Sequence, residues 1–245
     1  MTVQVIYEGR FGNNLLQYVC GRLFAERWGL HLEATLPKND ILYATPNAPG
    51  TKFSGSPRVL RDGVNVLDDK FTPGPYVLWG YWCQSRWYEA ARQKILSFIR
   101  IPAVEAANER GLVSDRDLCM HVRLGDYVPA RAMIQPEWYD AILDTEKHER
   151  LYIVTDTPDH PYLDHWKARK PTIVSRNPAS DFHFMRQFKR IICSNSTFCW
   201  WACFFSHAYR IHTYRGTDMM QFSMSEGPRN VIHDGKLIRE VDPRP

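Results

Sequence analysis

The second half of the chain alternates short apolar runs with longer amphipathic segments, and this alternation constrains the fold more than any other feature. The apolar runs are Leu118–Val122, Leu151–Thr155, Thr172–Ser175, Arg190–Cys193 and Arg210–Thr213. Each run has the length of a buried strand, and most of the segments between them read as helices. Strands that alternate with helices predict a parallel sheet with helices on its faces.

Four helices are predicted within this half. They are expected from Gln135 to about Lys147, then at His160–Ala168, Asp181–Phe188 and Phe198–His207. Pro136 suits the first turn of the first helix, since its fixed φ is compatible with a helix start. Ser180 or Asp181 is expected to cap the third helix, because short polar side chains accept hydrogen bonds from the first turn.

The first half repeats the alternation. Its predicted elements are a strand at Val3–Tyr7, a glycine loop at Gly9–Asn14, a helix from about Asn14 to Trp28, strands at His31–Ala34 and Tyr76–Trp79, and a helix from Arg86 to about Arg100. The apolar residues of the helix 14–28 recur every three or four positions, which predicts one buried stripe along the helix. The polar segment 103–116 is expected to link two Rossmann-like α/β lobes, residues 1–110 and 111–245, that face each other.

Composition excludes several classes. The 245 residues carry a net charge of +4 and contain no run of five like charges. A basic arm that binds nucleic acid is therefore not predicted. The longest apolar run, Phe198–Phe205, is too short to span a membrane, and the first residues lack the basic flank of a signal peptide. We therefore expect a soluble cytoplasmic protein, with peripheral contact to a membrane surface left open.

Metal binding is not expected. The six cysteines stand mostly within apolar runs and form no Cys-x-x-Cys pair, which favours reduced, buried thiols over a zinc site. Asp115-Arg116-Asp117 has the Asp-x-Asp pattern of some metal-dependent glycosyltransferases. It precedes a strand rather than following one, so we interpret it as part of the linker.

Charged residues appear abruptly where the strand Leu118–Val122 ends. His121, Arg123 and Asp126 follow one another there. Ligands of open α/β sheets bind at the carboxyl ends of strands, so this strand end is a candidate site. The alternative is that Arg123 and Asp126 form a structural ion pair in a turn, which is also common.

Two further segments suit an anion. Ser194-Asn195-Ser196-Thr197 lies between a predicted strand and a helix, where hydroxyls and N–H groups either cap the helix or bind phosphate. With Arg123 from the neighbouring strand, this junction would clamp a diphosphate. The loop Gly9–Asn14, with Arg10, also precedes a helix; it either approaches an anion or is a tight turn without a ligand.

Five blocks together resemble the α-1,2-fucosyltransferases, and the first is also similar to the start of the protein O-fucosyltransferases. The blocks are Gly9-Arg-Phe-Gly-Asn-Asn14 with Leu16-Gln-Tyr18, Gly80-Tyr81 with Gln84-Ser85 and Tyr88, His121-Val-Arg-Leu-Gly-Asp-Tyr127, Tyr152-Ile-Val-Thr-Asp156, and Asp181 through Ser194-Asn-Ser-Thr-Phe-Cys-Trp-Trp201. They occur in the family's order. The resemblance implies an inverting, metal-independent glycosyltransferase of GT-B type that moves fucose from GDP-fucose to a hydroxyl of an oligosaccharide or polysaccharide, in an α-1,2 linkage.

The resemblance also implies roles for individual residues. Arg123 would hold the β-phosphate, and the hydroxyls or N–H groups of Ser196 and Thr197 would bind the diphosphate. The remaining residues of the expected donor site are His121 and Asp181 at the guanine or ribose, Ser194 and Asn195 beside the diphosphate, and Arg10 and Asn13 across the cleft. Arg123 would stabilise the departing GDP, and Asp126 is the expected catalytic base, with Glu8 as the second candidate.

Two positions depart from the family pattern. Leu124 replaces a second arginine, which removes a positive charge near the expected donor site, and Trp82-Cys83 adds one residue before Gln84. Because of Leu124, a protein of the same fold that uses a different nucleotide sugar as its donor is the second possibility. A non-catalytic protein that binds a nucleotide or a glycan is the third possibility, since fold alone does not fix function.

Overall fold

The computed structural model of the protein describes residues 2–102, 113–214, 230–233 and 236–239. The chain divides into two compact units, Met1–Ile101 and Pro102–Pro245. The predicted boundary at residues 110 and 111, with most of the predicted linker, lies outside the described residues. Among the described helices, none has both the length and the apolar character needed to cross a membrane.

The first unit is built around a small parallel sheet. In chain order its elements are β1 (Val3–Val5), α1 (Phe11–Arg27), β2 (Tyr43–Ala44), β3 (Arg58–Arg61), β4 (Tyr76–Trp79), α2 (Ser85–Ala90), α3 (Arg92–Phe98) and β5 (Ile99–Arg100). Strands β1, β4 and β3 form the sheet in that order, and both pairings are parallel. Strands β2 and β5 form a separate antiparallel pair.

Helix α1 is the core of this unit. Every residue from position 15 to 25 is buried, so the helix is enclosed on all sides rather than along the single stripe that its spacing predicts. Gly21 lets the helix approach β1, because a Cβ at this position would lie 2.4 Å from Cγ2 of Val5. The buried Arg22 guanidinium is bound by Glu26 and by the carbonyl oxygens of Thr45 and Pro46.

Several predicted boundaries in the first unit are wrong. Helix α1 begins at Phe11, so the glycine loop is shorter than expected and Asn13 lies in the first helical turn. The predicted strand at 31–34 is reduced to an isolated parallel bridge between Val3 and Leu32. The predicted helix 86–100 is divided at Ala91 into α2 and α3, and its last residues form β5.

The second unit contains the larger sheet. Its elements are β6 (Leu118–Val122), α4 (Pro136–Leu143), β7 (Leu151–Thr155), β8 (Thr172–Val174), α5 (Pro178–Met185), β9 (Arg190–Cys193), α6 (Thr197–Phe204), β10 (Arg210–Thr213), β11 (Asn230–His233) and β12 (Lys236–Arg239). The predicted helix after residue 160 is a 3₁₀ helix, Pro161–Arg169. A second, short 3₁₀ turn covers Gly125–Tyr127.

Strand order indicates where a ligand crevice is expected in this sheet. The order is β12-β11-β10-β9-β6-β7-β8, and every pairing except β11–β12 is parallel. From β6 the chain adds β7 and β8 on one side, and then returns to add β9 and β10 on the other. This is the strand order of a doubly wound, Rossmann-like sheet, whose ligand crevice lies where the direction reverses. The predicted α/β class with parallel sheets is therefore confirmed.

The pleat of β6 separates its side chains into two sets. Leu118, Met120 and Val122 enter a buried apolar cluster that includes Tyr139 of α4 and Trp166 of the 3₁₀ helix. Alternate residues of a strand point to opposite faces, so His121 belongs to the other face. Leu124 also lies in the apolar cluster and is fully buried. The expectation that Leu124 removes a positive charge near the donor site stays a prediction.

Replacing Leu124 with alanine is expected to destabilise the second unit by about 2–5 kcal/mol, because it leaves a cavity in the apolar cluster. Urea unfolding followed by tryptophan fluorescence measures the change. Ile173→Ala is the control, since Ile173 is 38% exposed. Equal stability losses in the two variants would contradict the placement of Leu124 in the core.

Candidate functional site

Arg123 lies between two carboxylates at the carboxyl end of β6. Its Nη2 is 2.6 Å from Oδ1 of Asp126, and its Nη1 is 2.7 Å from Oδ2 of Asp156. The Arg123 side chain is only 14% exposed, whereas that of Asp126 is 49% exposed. The structural ion pair that the sequence left open is thus present, and a second carboxylate takes part in it.

Asp156 is the residue of this site that sequence reasoning did not assign. It follows β7, and its Oδ1 accepts hydrogen bonds from the backbone N–H of Leu124 at 3.0 Å and of Gly125 at 3.3 Å. Gly125 is required here, because a Cβ would lie 2.4 Å from Oδ2 of Asp156. A carboxylate directly after a buried strand was the available signal, the same one that singled out Arg123.

His121 and Ser194 join the ends of β6 and β9. Nδ1 of His121 lies 2.7 Å from Oγ of Ser194, and both residues are buried. The Tyr139 hydroxyl donates to the carbonyl oxygen of His121 at 3.2 Å. Burial, with a smaller contribution from the Arg123 charge, lowers the pKa of His121 to about 3. The imidazole is therefore neutral at pH 7.

The segment after β9 forms the start of α6. Ser196 is the N-cap residue and Thr197 is the first residue of the helix, and both are buried. The Ser196 side chain makes no capping hydrogen bond to the helix. Asn195 is bound on both sides, since its carbonyl oxygen accepts from the Tyr127 hydroxyl at 3.0 Å and its Nδ2 donates to the carbonyl oxygen of Ala132. These contacts attach the turn after β6 to the start of α6.

Asp181 lies in the first turn of α5, after β8. Its two carboxylate oxygens accept from the backbone N–H of Arg176 at 3.2 and 3.0 Å, and Oδ1 also accepts from Nε of Arg176 at 3.2 Å. The predicted cap of this helix is wrong. Asn177 is the N-cap residue, and its side chain accepts from the backbone N–H of Ser180 at 2.9 Å.

Arg10 and Asn13 lie in the first unit, where α1 begins. Arg10 is exposed and takes the N-cap position, and Asn13 follows in the first turn. Gly9 has a φ of 79°, and a Cβ at this position would meet Nδ2 of Asn13 at 2.4 Å. Glycine at position 9 is therefore required by both backbone conformation and space.

Gln17 connects the first two sequence blocks. Its Oε1 accepts from the backbone N–H of Glu8 at 3.1 Å, and its Nε2 donates to the carbonyl oxygen of Gly80 at 3.1 Å. In the second block, Trp82 has a φ of 55° and is buried. The Asp62 carboxylate accepts from the backbone N–H groups of Tyr81 and Trp82 and holds this turn.

Three thiols form a cluster near the end of β9. The sulfur atoms of Cys193, Cys199 and Cys203 lie within 4.8 Å of one another, and all three residues are buried. Burial raises the pKa of the Cys193 and Cys199 thiols well above the usual value. Both thiols are thus protonated at neutral pH. All six cysteines are reduced thiols, as predicted, and Cys83 alone is only partly buried.

Comparison with models of known protein families gives no match to this chain, and comparison with curated proteins gives no matching relative.

His121 is expected to make the second unit sensitive to acid. Its pKa falls from 6.5 in the unfolded chain to about 3 in the folded chain, so the unfolded state binds more protons between these values. The free energy of unfolding should therefore decrease as the pH falls below 6.5, by at most about 1.4 kcal/mol per pH unit from this group. Urea unfolding at pH 7.0, 6.0 and 5.0 measures it.

His121→Asn should make this dependence shallower, because an asparagine amide can hydrogen-bond to Ser194 without titrating. His207→Asn is the control, since His207 is exposed in the same unit. A His121→Asn variant with the wild-type pH dependence would show that this imidazole is not the group responsible.

Proposed function

We propose that the protein is an inverting, metal-independent glycosyltransferase that uses GDP-fucose and acts on a hydroxyl of a glycan. The observation that carries the proposal is the position of Arg123. It directly follows β6, at the reversal of strand order, and the N-terminus of α6 lies after the neighbouring β9. The parallel sheet in each of the two units supports the GT-B part of the proposal. A cytoplasmic location is part of the same proposal.

A nucleoside diphosphate suits this crevice. Arginine has five N–H donors in a planar fork that matches phosphate oxygens. The two carboxylate contacts of Arg123 use one donor from each Nη atom and hold the fork in one orientation. A helix N-terminus adds backbone N–H groups and a partial positive charge, which favour an anion. In this proposal the hydroxyl of Ser196, which does not cap α6, binds a phosphate oxygen.

The two carboxylates beside Arg123 have different roles in this proposal. Asp156 is fixed by the N–H groups of Leu124 and Gly125, so it stays and orients the guanidinium. Asp126 is half exposed and is the partner that the diphosphate displaces. Once displaced, Asp126 is available as the catalytic base. Glu8 of the first unit is the other candidate.

The reaction requires stabilisation of the negative charge on the departing GDP, and it needs no covalent intermediate with the protein. The bond between C1 of the sugar and the β-phosphate oxygen breaks, and its electrons leave with GDP. The acceptor oxygen attacks C1 from the opposite face, and its proton goes to the base. Arg123 and the start of α6 stabilise the negative charge on GDP, which is the role that a metal has in other transferases.

The five sequence blocks that resemble the α-1,2-fucosyltransferases favour GDP-fucose as the donor. Leu124 is the departure from the family pattern that leaves another nucleotide sugar open, although its side chain packs in the apolar cluster of the second unit. A binding panel of GDP-fucose, GDP-mannose and UDP-sugars tests the choice, with GDP-fucose expected to bind most tightly. Tighter binding of a UDP-sugar would contradict it.

Arg123→Ala should weaken GDP binding by about 10- to 100-fold, since a hydrogen bond to a charged group contributes about 1.5–3 kcal/mol. Isothermal titration calorimetry measures the affinity, and circular dichroism shows whether the variant is folded. Arg116→Ala is the matched control, because the Arg116 side chain is 78% exposed in the same unit. Wild-type affinity in a folded Arg123→Ala protein would refute the phosphate role of Arg123.

Transfer should not depend on a divalent metal. Release of GDP in the presence of an acceptor is expected to continue at an unchanged rate after addition of EDTA, because Arg123 and the start of α6 stabilise the leaving group. Loss of activity with EDTA and its recovery with Mg²⁺ or Mn²⁺ would contradict a metal-independent mechanism.

A further inference from the structure

Exposed aromatic side chains gather at the carboxyl edge of the sheet in the first unit. Trp79, the last residue of β4, is 37% exposed, and Tyr81, two residues later, is 38% exposed. Ile6, directly after β1, is also 38% exposed. Most large apolar side chains of the described residues are buried, so three exposed ones at one edge are unusual.

Charged side chains surround Trp79. The Arg61 guanidinium lies over the indole ring, with its central carbon 3.9 Å from the ring centroid. Arg61 is the last residue of β3, and the strand register pairs it with Trp79. On another side, Nε1 of Trp79 donates to Oε1 of Glu8 at 2.9 Å. The indole is thus held in place by one cation and one carboxylate.

Asp62 holds the second aromatic residue. Its carboxylate accepts from the backbone N–H of Tyr81 at 2.8 Å and from that of Trp82 at 2.9 Å. Gly80 makes this approach possible, because a Cβ there would lie 2.6 Å from the Asp62 carboxylate. Tyr81 is therefore presented from a turn with a fixed backbone, two residues beyond Trp79.

We propose that this edge, defined by Glu8, Arg61, Asp62, Trp79 and Tyr81, binds a sugar ring of the acceptor glycan. The inference rests on the proposed glycosyltransferase function and specifies its acceptor side. A pyranose has an apolar C–H face and a rim of hydroxyls. The exposed aromatic rings suit the face, and the carboxylates and the guanidinium suit the hydroxyls, which both donate and accept hydrogen bonds.

Charge favours a sugar over a second copy of the chain. Burial of these charged side chains against an apolar protein surface would require their desolvation without new partners. Sugar hydroxyls provide partners for both signs of charge. The edge also lies at the carboxyl ends of all three strands of its sheet, the position where open α/β sheets bind ligands.

Binding of fluorescently labelled protein to an array of neutral oligosaccharides tests the inference without a donor. Wild type should be retained on at least one glycan, and Trp79→Ala and Tyr81→Ala should each reduce retention at least tenfold. Trp79→Phe keeps an aromatic ring but loses the hydrogen bond to Glu8, so its retention should be intermediate between those of wild type and Trp79→Ala. Tyr43→Ala is the control, since Tyr43 is 53% exposed in the same unit. Circular dichroism and thermal melting establish that each variant is folded.

Two results would overturn the inference: retention of wild type on no glycan, or equal retention of wild type and both alanine variants. A dimer in sedimentation that Trp79→Ala dissociates, with glycan retention unchanged, would likewise overturn it and assign the edge to self-association. Titration with GDP keeps the two proposals distinguishable. If glycan retention depends on Trp79 but GDP does not bind, the transferase function alone is rejected. If GDP binds but glycan retention is unchanged by the Trp79 and Tyr81 substitutions, the acceptor edge alone is rejected.

Discussion

The ion pair between Arg123 and Asp156 is the interaction on which the site in the second unit depends. It joins the carboxyl ends of β6 and β7, whose register pairs Val122 with Thr155 and so brings the next residues together. Asp156 also binds two backbone N–H groups of the turn that follows Arg123. Loss of Asp156 would thus release both the guanidinium and the turn, because a partly buried arginine needs its carboxylate partner.

The ends of β6 and β9 combine a buried hydrogen bond with a charged group. His121 and Ser194 form the hydrogen bond, with the imidazole neutral at pH 7, and Arg123 supplies the charge. Leu124 turns to the opposite side and packs in the core. The two residues after β6 thus have different roles: Arg123 places a charge at the edge of the sheet, and Leu124 stabilises the core beneath it.

Much of the second unit could be predicted from the sequence. The predicted bounds of β6, β7, β9 and β10 match the structure, because strands buried on both faces of a parallel sheet are written as short continuous apolar runs. Helix ends were less predictable. Asn177, rather than Ser180 or Asp181, caps α5, and the polar residues near the start of α1 belong to its first turn. Local sequence offers several competing polar residues at such positions.

The partners within the site were also out of reach of sequence reasoning. Arg123 and the segment after β9 were identified because polar residues follow apolar runs. The contact of Arg123 with Asp156 depends on which strands are neighbours, and periodicity does not encode strand order. The grouping of Glu8, Arg61 and Trp79 has the same origin, since these residues are distant in the chain and meet only when β1, β4 and β3 pair.

Hydrogen–deuterium exchange with and without GDP tests the central claim most directly, because it locates the bound nucleotide without any substitution. GDP should slow exchange in peptides that cover residues 123–127 and 195–199, and should leave peptides from β12 unchanged. Protection confined to other segments, or no protection at saturating GDP, would contradict a nucleotide site at the ends of β6 and β9.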